Sequence, residues 1–237
     1  VPTIEDLGFV GEEQRKIHQI MTRKEGLVLV TGPARSGTTS FIYAALASLA
    51  KENVLSLEGR PELVVPGVTQ IRYDASAGKS FAETLGDLLD RNPDVLHAGE
   101  IRDLATARIA LRTAVTGRKV LATVHTSDAV SGVRRLVDMG LAPGRLGESL
   151  HAVISLRLVR KLCEACARAF DPGRDAKSRE AKLASVLGVQ PVMRAVGCKA
   201  CAATGYRGQV PIPEVLLVTP ELRAVLAGAP NDAELLR

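Results

Sequence analysis

The segment Thr31-Gly32-Pro33-Ala34-Arg35-Ser36-Gly37-Thr38-Thr39-Ser40 has the spacing of a phosphate-binding loop. Such a loop reads G-x-x-x-x-G-K-[ST] between a buried strand and a helix. Gly32 and Gly37 stand at that interval, and Thr39 supplies the hydroxyl that would ligate Mg²⁺ beside a bound nucleotide. The lysine that would bridge the β- and γ-phosphates is replaced by Thr38. Arg35 lies inside the loop but three residues early, so the same reach is not expected of it. What survives is backbone chemistry: helix N-terminal N–H groups aim at phosphate, and glycines let the main chain wrap it. Gly32, Pro33, Ala34, Arg35, Ser36, Gly37, Thr38 and Thr39 are therefore the candidate contacts for ATP.

A second constellation is made of thiols. Cys163-x-x-Cys166 and Cys198-x-x-Cys201 account for all four cysteines and are separated by 31 residues. Two such knuckles can place four thiolates tetrahedrally around Zn²⁺, in a structural site with no open position and hence no catalysis. A dithiol redox site is the alternative, although it would not need two knuckles. A disulfide framework is disfavoured, because the N-terminal residues VPTIEDLGF do not read as a signal peptide.

These groups need a scaffold. The 237 residues are 46% hydrophobic but only 3% aromatic, so the core must be built from Val, Leu, Ile and Ala. That suits a parallel sheet covered by helices. Strand-like runs fall at 27–31, 53–57, 94–98 and 119–124, with helical patterns at 12–24, 38–50, 80–91 and 104–115. The alternation predicts an α/β fold of the P-loop type. Further helices are expected at 128–138 and 145–162, a small module over 163–208, a strand at 210–218, and a helix over 220–237 broken near Gly228-Ala229-Pro230. The net charge of +5 is interspersed along the chain, so charge alone does not indicate a nucleic-acid partner. No stretch has the length of a membrane span, and the expected location is cytoplasmic. A chain opening on Val1 is expected to be a portion of a longer protein.

Beyond the loop the motifs become specific. Asn92-Pro93-Asp94-Val95-Leu96-His97-Ala98-Gly99-Glu100-Ile101-Arg102-Asp103 resembles the Walker B region of the secretion ATPase superfamily, the ATPases of type II secretion and type IV pilus assembly or retraction. Thr123-Val124-His125-Thr126-Ser127-Asp128-Ala129 resembles that family's histidine box. Arg157-Leu158-Val159-Arg160-Lys161-Leu162-Cys163 and Thr204-Gly205-Tyr206-Arg207-Gly208 resemble its later signatures. The resemblance covers nearly the whole chain in order. It is closest to the C-terminal motor domain of the assembly and secretion branch, since retraction motors usually lack the cysteine module.

The resemblance implies a RecA-like core over 1–160, a tetracysteine zinc module over 161–208, and a C-terminal strand and helices over 209–237 packing back on the core. Glu100 takes the position that orients Mg²⁺ and the attacking water. Glu58 opens an acidic box that the family reads E-D-P-x-E and this chain reads Glu58-Gly59-Arg60-Pro61-Glu62. His125 resembles the histidine that senses the γ-phosphate. Two arginines that the family places before Walker B are Gly86 and Asp90 here, and Arg91 is displaced by one position, a rotation of about 100° on a helix. A lost arginine finger costs on the order of 10³–10⁵ in rate. The resemblance thus implies a motor domain that binds ATP and Mg²⁺ in a hexameric ring, of itself or with a paralogue, on an inner-membrane platform, with hydrolysis impaired. A non-hydrolysing structural or regulatory subunit paired with an active paralogue is the alternative from another class. A nucleic-acid-dependent motor is a third, for which no basic-aromatic patch speaks.

Overall fold

The computed structural model describes residues 1–170, 181–182, 185–186, 188 and 192–228. The chain divides into two compact units, one formed by Val1–Arg157 with Pro211–Arg237, the other by Leu158–Val210.

The first unit is built around β1 (Gly26–Thr31), every residue of which is buried. A strand covered on both faces tolerates apolar side chains in both alternating sets, and Leu27-Val28-Leu29-Val30 supplies them. Beyond β1 the chain makes α2 (Thr38–Ser48), β2 (Val54–Glu58), β3 (Thr69–Arg72), α3 (Phe81–Leu88), β4 (Val95–Glu100), α4 (Leu104–Val115) and β5 (Lys119–Val124). Then follow α5 (Ala129–Asp138), α6 (Pro143–Ser149) and β6 (Leu150–Leu162), while α1 (Gly11–Thr22) precedes them all. Towards the C-terminus lie β9 (Tyr206–Leu217) and α7 (Pro220–Ala227). The sheet order is β3-β2-β4-β5-β1-β6-β9. All pairings from β3 across to β6 are parallel.

Strand alternation sorts the core into two layers. Leu27 and Leu29 join Leu55, Leu57 and Leu96 in an apolar cluster with residues of α3, α4, α5 and α6. Val28 and Val30 join Val54, Val95 and Leu121 in a second cluster with α1 and α2, through Ile17, Ile20, Phe41 and Leu46. Helix starts carry their own signals. Ser80 and Glu83 form a reciprocal capping box at α3, while Asp103 and Asp128 accept from backbone N–H groups at the starts of α4 and α5. At the other end of α1, the buried Lys119 donates to the carbonyls of Ile20 at 3.3 Å and Met21 at 2.5 Å. Those two acceptors sit in the last turn of α1, where carbonyls lack helical partners.

The helix expected over 145–162 is corrected: only its start is helical, as α6, and from Leu150 the chain is strand β6. Residues 150–156 are buried and pair in parallel with β1, Val28 against Ala152 through Thr31 against Ser155. Burial on both faces leaves no alternation, and the two polar residues of the run, His151 and Ser155, stand four apart, a spacing that suits a helix as well. Strand β3 was not expected either. Its residues Thr-Gln-Ile-Arg are exposed or half-buried at the sheet edge, so no apolar pattern marks it. The C-terminal helix is observed for Pro220–Ala227, and the expectation for 229–237 lies outside the described residues.

The second unit contains a short antiparallel pair, β7 (Arg168–Phe170) with β8 (Val192–Arg194), and a four-cysteine cluster. Of the module expected over 163–208, residues 171–180, 183–184, 187 and 189–191 lie outside those described.

Candidate functional site

The loop between β1 and α2 is shaped by its glycines. Gly32 has φ +156°, and a Cβ there would lie 2.6 Å from the Leu156 carbonyl oxygen. Gly37, at φ +93°, is the N-cap of α2 in a left-handed conformation that side chains resist. Inside the loop Ser36 N–H donates to the Pro33 carbonyl at 3.1 Å. The Ser36 hydroxyl is buried and has no hydrogen-bond partner among the described residues. Pro33, Ala34 and Arg35 are exposed, and Arg35 takes a left-handed φ of 63°. Thr38 and Thr39 open the helix at its N-terminal end.

These two threonines line a cavity of about 420 Å³ together with Tyr43, Glu58, Arg60, His97, Glu100, Arg102 and His125, among others. The parallel sheet explains the meeting: β2, β4 and β5 all point the same way as β1. Glu58, Glu100 and His125 stand at or just beyond the C-terminal ends of their strands, the side where open α/β sheets bind ligands. His125 Nε2 lies 3.6 Å from Glu100 Oε1. Its Nδ1 donates to the Gly32 carbonyl at 3.3 Å. Arg102 places Nε and Nη2 on Glu100 Oε2, at 2.8 and 2.6 Å. The Thr31 and Thr126 hydroxyls, 2.6 Å apart, tie the end of β1 to the histidine segment.

Glu58 is buried and satisfied. It accepts from Tyr43 Oη at 2.7 Å, from Ser56 Oγ at 2.6 Å and from Gln70 Nε2 at 3.0 Å. Burial pushes its carboxyl up, but the hydrogen bonds from Ser56, Tyr43 and Gln70 outweigh burial and hold it below the ordinary value. Since the Ser56 hydroxyl spends its hydrogen on Glu58, its oxygen accepts from His97 Nδ1 at 2.8 Å. His97 Nε2 is then a bare lone pair, buried and without a partner among the described residues. Burial lowers His97 to about 4, so it is neutral at pH 7.

Sequence reasoning brought Thr38, Thr39, Glu58, Glu100 and His125 to one place, and the cavity collects all five. It missed Tyr43, which sat in a run read as plain helix core, and His97, a lone histidine in an apolar strand. Ser56 and Gln70 carried no motif at all. Gly86, Asp90 and Arg91 are not among the residues lining the cavity.

The four cysteine Sγ atoms lie within 4.8 Å of one another. Adjacent sulfurs are 4.0 Å apart for Cys163 and Cys198, and 3.8 Å for both Cys166 with Cys201 and Cys198 with Cys201. A tetrahedral ion with metal–sulfur bonds of about 2.3 Å would hold its ligands about 3.8 Å apart, so the cluster could hold such an ion. Backbone N–H groups of Cys198 and Gly205 point at the Cys201 sulfur, each at 3.2 Å. Burial alone would raise the Cys201 thiol, but these donors reverse that and bring it down to about 6, which favours the thiolate.

The glycine-bent loop, the helix N-terminus and the acidic and histidine strand ends together define a phosphate-loop α/β protein. Comparison with known proteins makes this specific. The family model described as "Type II/IV secretion system protein" matches residues 1–237. The chain belongs to that family, the ATPases of type II secretion and type IV pilus assembly. It is 40% identical over 225 residues to the type II secretion system protein HxcR of Pseudomonas aeruginosa, covering 94% of this chain and 44% of that protein. It is 36% identical to the type IV pilus assembly ATPase PilB of Thermus thermophilus, covering 96% of this chain and 26% of that one. The chain therefore spans less than half the length of these relatives. In fold it resembles the pilus retraction motor PilT with bound ADP, at a TM-score of 0.69 and 24% identity, over 97% of this chain and 57% of PilT. It also resembles the ATPase DotB of Legionella pneumophila, at 0.67 and 20%, over 99% of this chain and 55% of DotB. Among the described residues, no helix is long and apolar enough to cross a membrane.

Proposed function

We propose that this chain is the motor domain of a type II secretion or type IV pilus assembly ATPase, binding Mg²⁺ and ATP at the loop of residues 32–39, with hydrolysis impaired. Residues 1–160 serve as the nucleotide-binding core, 161–208 as a zinc module and 209–237 as the segment returning to the core. The reading places the chain in a hexameric ring, of itself or with a paralogue, at the cytoplasmic face of an inner-membrane platform. Its nucleotide drives protein export or pilus assembly.

One observation carries the impaired half of this reading. The cavity keeps Glu100, Glu58 and His125, but Thr38 stands where the phosphate-bridging lysine belongs, and Gly86 and Asp90 bring no arginine to it. Electrostatic stabilisation of the transferring phosphoryl group is the larger share of catalysis in this chemistry. Binding depends less on side chains, because the N-terminal N–H groups of α2 need none. These same replacements favour the second reading, a subunit that holds nucleotide as a structural or regulatory member beside an active paralogue.

Equilibrium binding of ATP with Mg²⁺, measured beside phosphate release by the purified chain, tests the proposal. Measurable binding with release near background supports it. No binding at millimolar nucleotide would contradict the site, and rapid release would contradict the impairment.

A further inference from the structure

The loop that follows β2 is fastened to the phosphate-loop helix by one hydroxyl. Tyr43 Oη donates to Glu58 Oε2 at 2.7 Å and accepts from Glu62 N–H at 2.7 Å. Burial and the neighbouring Glu58 push Tyr43 up to about 12, so the hydroxyl keeps its proton and the clamp persists at any ordinary pH. Residues 59–61 are thereby bracketed against α2. On a helix, residues i and i+4 lie one above the other, so Tyr43 sits one turn from Thr39, and Thr38 and Arg60 line the same cavity as both. Arg60 occupies the middle of the bracketed segment, at the position the E-D-P-x-E box gives to proline.

The other charges of the cavity leave it a clear task. Arg102 is engaged by Glu100 through two nitrogens. His97 is neutral. Glu58, Glu62, Glu100 and Asp103 line the same cavity, so an incoming polyphosphate meets more negative than positive side chains. Arg60 is exposed, and it makes no hydrogen bond or ion pair among the described residues. An unpaired guanidinium on a clamped loop beside a helix N-terminus is suited to bidentate contact with phosphate oxygens.

We propose that Arg60 is the phosphate-positioning residue that supplies, from the loop after β2, the positive charge absent at Thr38. This rests on the nucleotide reading given above and deepens it: the site selects ligands with two or more phosphates, because Arg60 acts on the far end of the chain while the α2 backbone holds the near end.

The experiment uses the full 237-residue chain, Mg²⁺, and ADP, ATP and AMP as probes in calorimetry, with Arg60→Gln, Arg60→Lys, Thr38→Lys and the Arg60→Gln/Thr38→Lys pair. Thermal unfolding of each variant confirms that it is folded. Arg60→Gln should weaken ATP and ADP roughly ten- to a hundredfold, the range of a charge-assisted contact, and leave AMP unchanged. Arg60→Lys keeps the charge but loses the two-pronged geometry, so its affinity should fall between those of the unmodified chain and Arg60→Gln. Thr38→Lys should restore ATP binding in the Arg60→Gln background, and its gain there should exceed its gain in the unmodified chain. If Arg60→Gln binds ATP as the unmodified chain does, the assignment of Arg60 is overturned while the nucleotide site stands. It is likewise overturned if all three nucleotides weaken equally, which marks a purely structural role. If neither the unmodified chain nor Thr38→Lys binds any nucleotide, the nucleotide reading falls and this inference with it.

Discussion

Glu100 and His125 face each other from the ends of β4 and β5, with 3.6 Å between Oε1 and Nε2. The histidine's other nitrogen donates to the Gly32 carbonyl at 3.3 Å, so one ring bridges the phosphate loop and the acidic strand end.

That bridge lies on the wet side of the site, His125 being 56% and Glu100 27% exposed in their side chains. Exposed pairs contribute little to stability. His125→Ala should therefore shift unfolding by less than about 1 kcal/mol, as read by urea titration. A loss above about 2 kcal/mol would mark the bridge as a structural element of the fold instead.

The tetracysteine cluster should carry about one zinc per chain, in keeping with four thiolates about 3.8 Å apart around one tetrahedral ion. Metal analysis of the purified protein checks this. Replacing Cys201 by serine should release the metal and loosen residues 160–210 to proteolysis while the first unit keeps its unfolding transition. Metal-free protein with four freely titrating thiols in the folded state would refute the zinc assignment.

Stability should fall on acidification before most carboxylates titrate. His97 and His151 are both lowered from 6.5 to about 4, chiefly by burial. Above pH 6.5 each is neutral in folded and unfolded chains alike, so stability is at its full value there. As pH falls from 6.5 towards 4 the unfolded chain takes up protons that the folded chain refuses, and stability declines across that window. For His97, buried beneath the cavity, the decline amounts to about 3 kcal/mol. Urea midpoints across this range should drop, and His97→Phe should flatten part of the slope. A midpoint unchanged from pH 7 to pH 4.5 would contradict the burial of both rings.

Much of this site was legible in the sequence because it is written in backbone-critical residues and strand ends. Gly32 and Gly37 announce the loop, and Glu100 and His125 close apolar runs whose parallel pairing brings their ends together. Glu58 was marked by its acidic box, but the polar partners around it, Gln70, Tyr43, Ser56 and His97, were not legible. These four come from α2, β2, β3 and β4, and each alone reads as ordinary helix or strand. In the same way β6 lost its identity because burial on both faces erases the alternation that marks a strand, and β3 because edge exposure removes its apolar residues.

Assembly should reflect the altered phosphate site. With Asp90 and Gly86 in place of arginines, the isolated chain is expected to be monomeric or loosely associated at micromolar concentration in sedimentation. A stable hexamer without nucleotide would contradict this. Hexamers formed only after an active homologue is added would favour the mixed-ring reading.

Binding without efficient turnover is measured most directly by phosphate release under saturating ATP with Mg²⁺, for the unmodified chain and for Thr38→Lys. The predicted result is release near background in the first. In the second, affinity should improve more than rate, because Gly86 and Asp90 still bring no arginine charge. Turnover by the unmodified chain at roughly 10 s⁻¹, the median for enzymes, would contradict it.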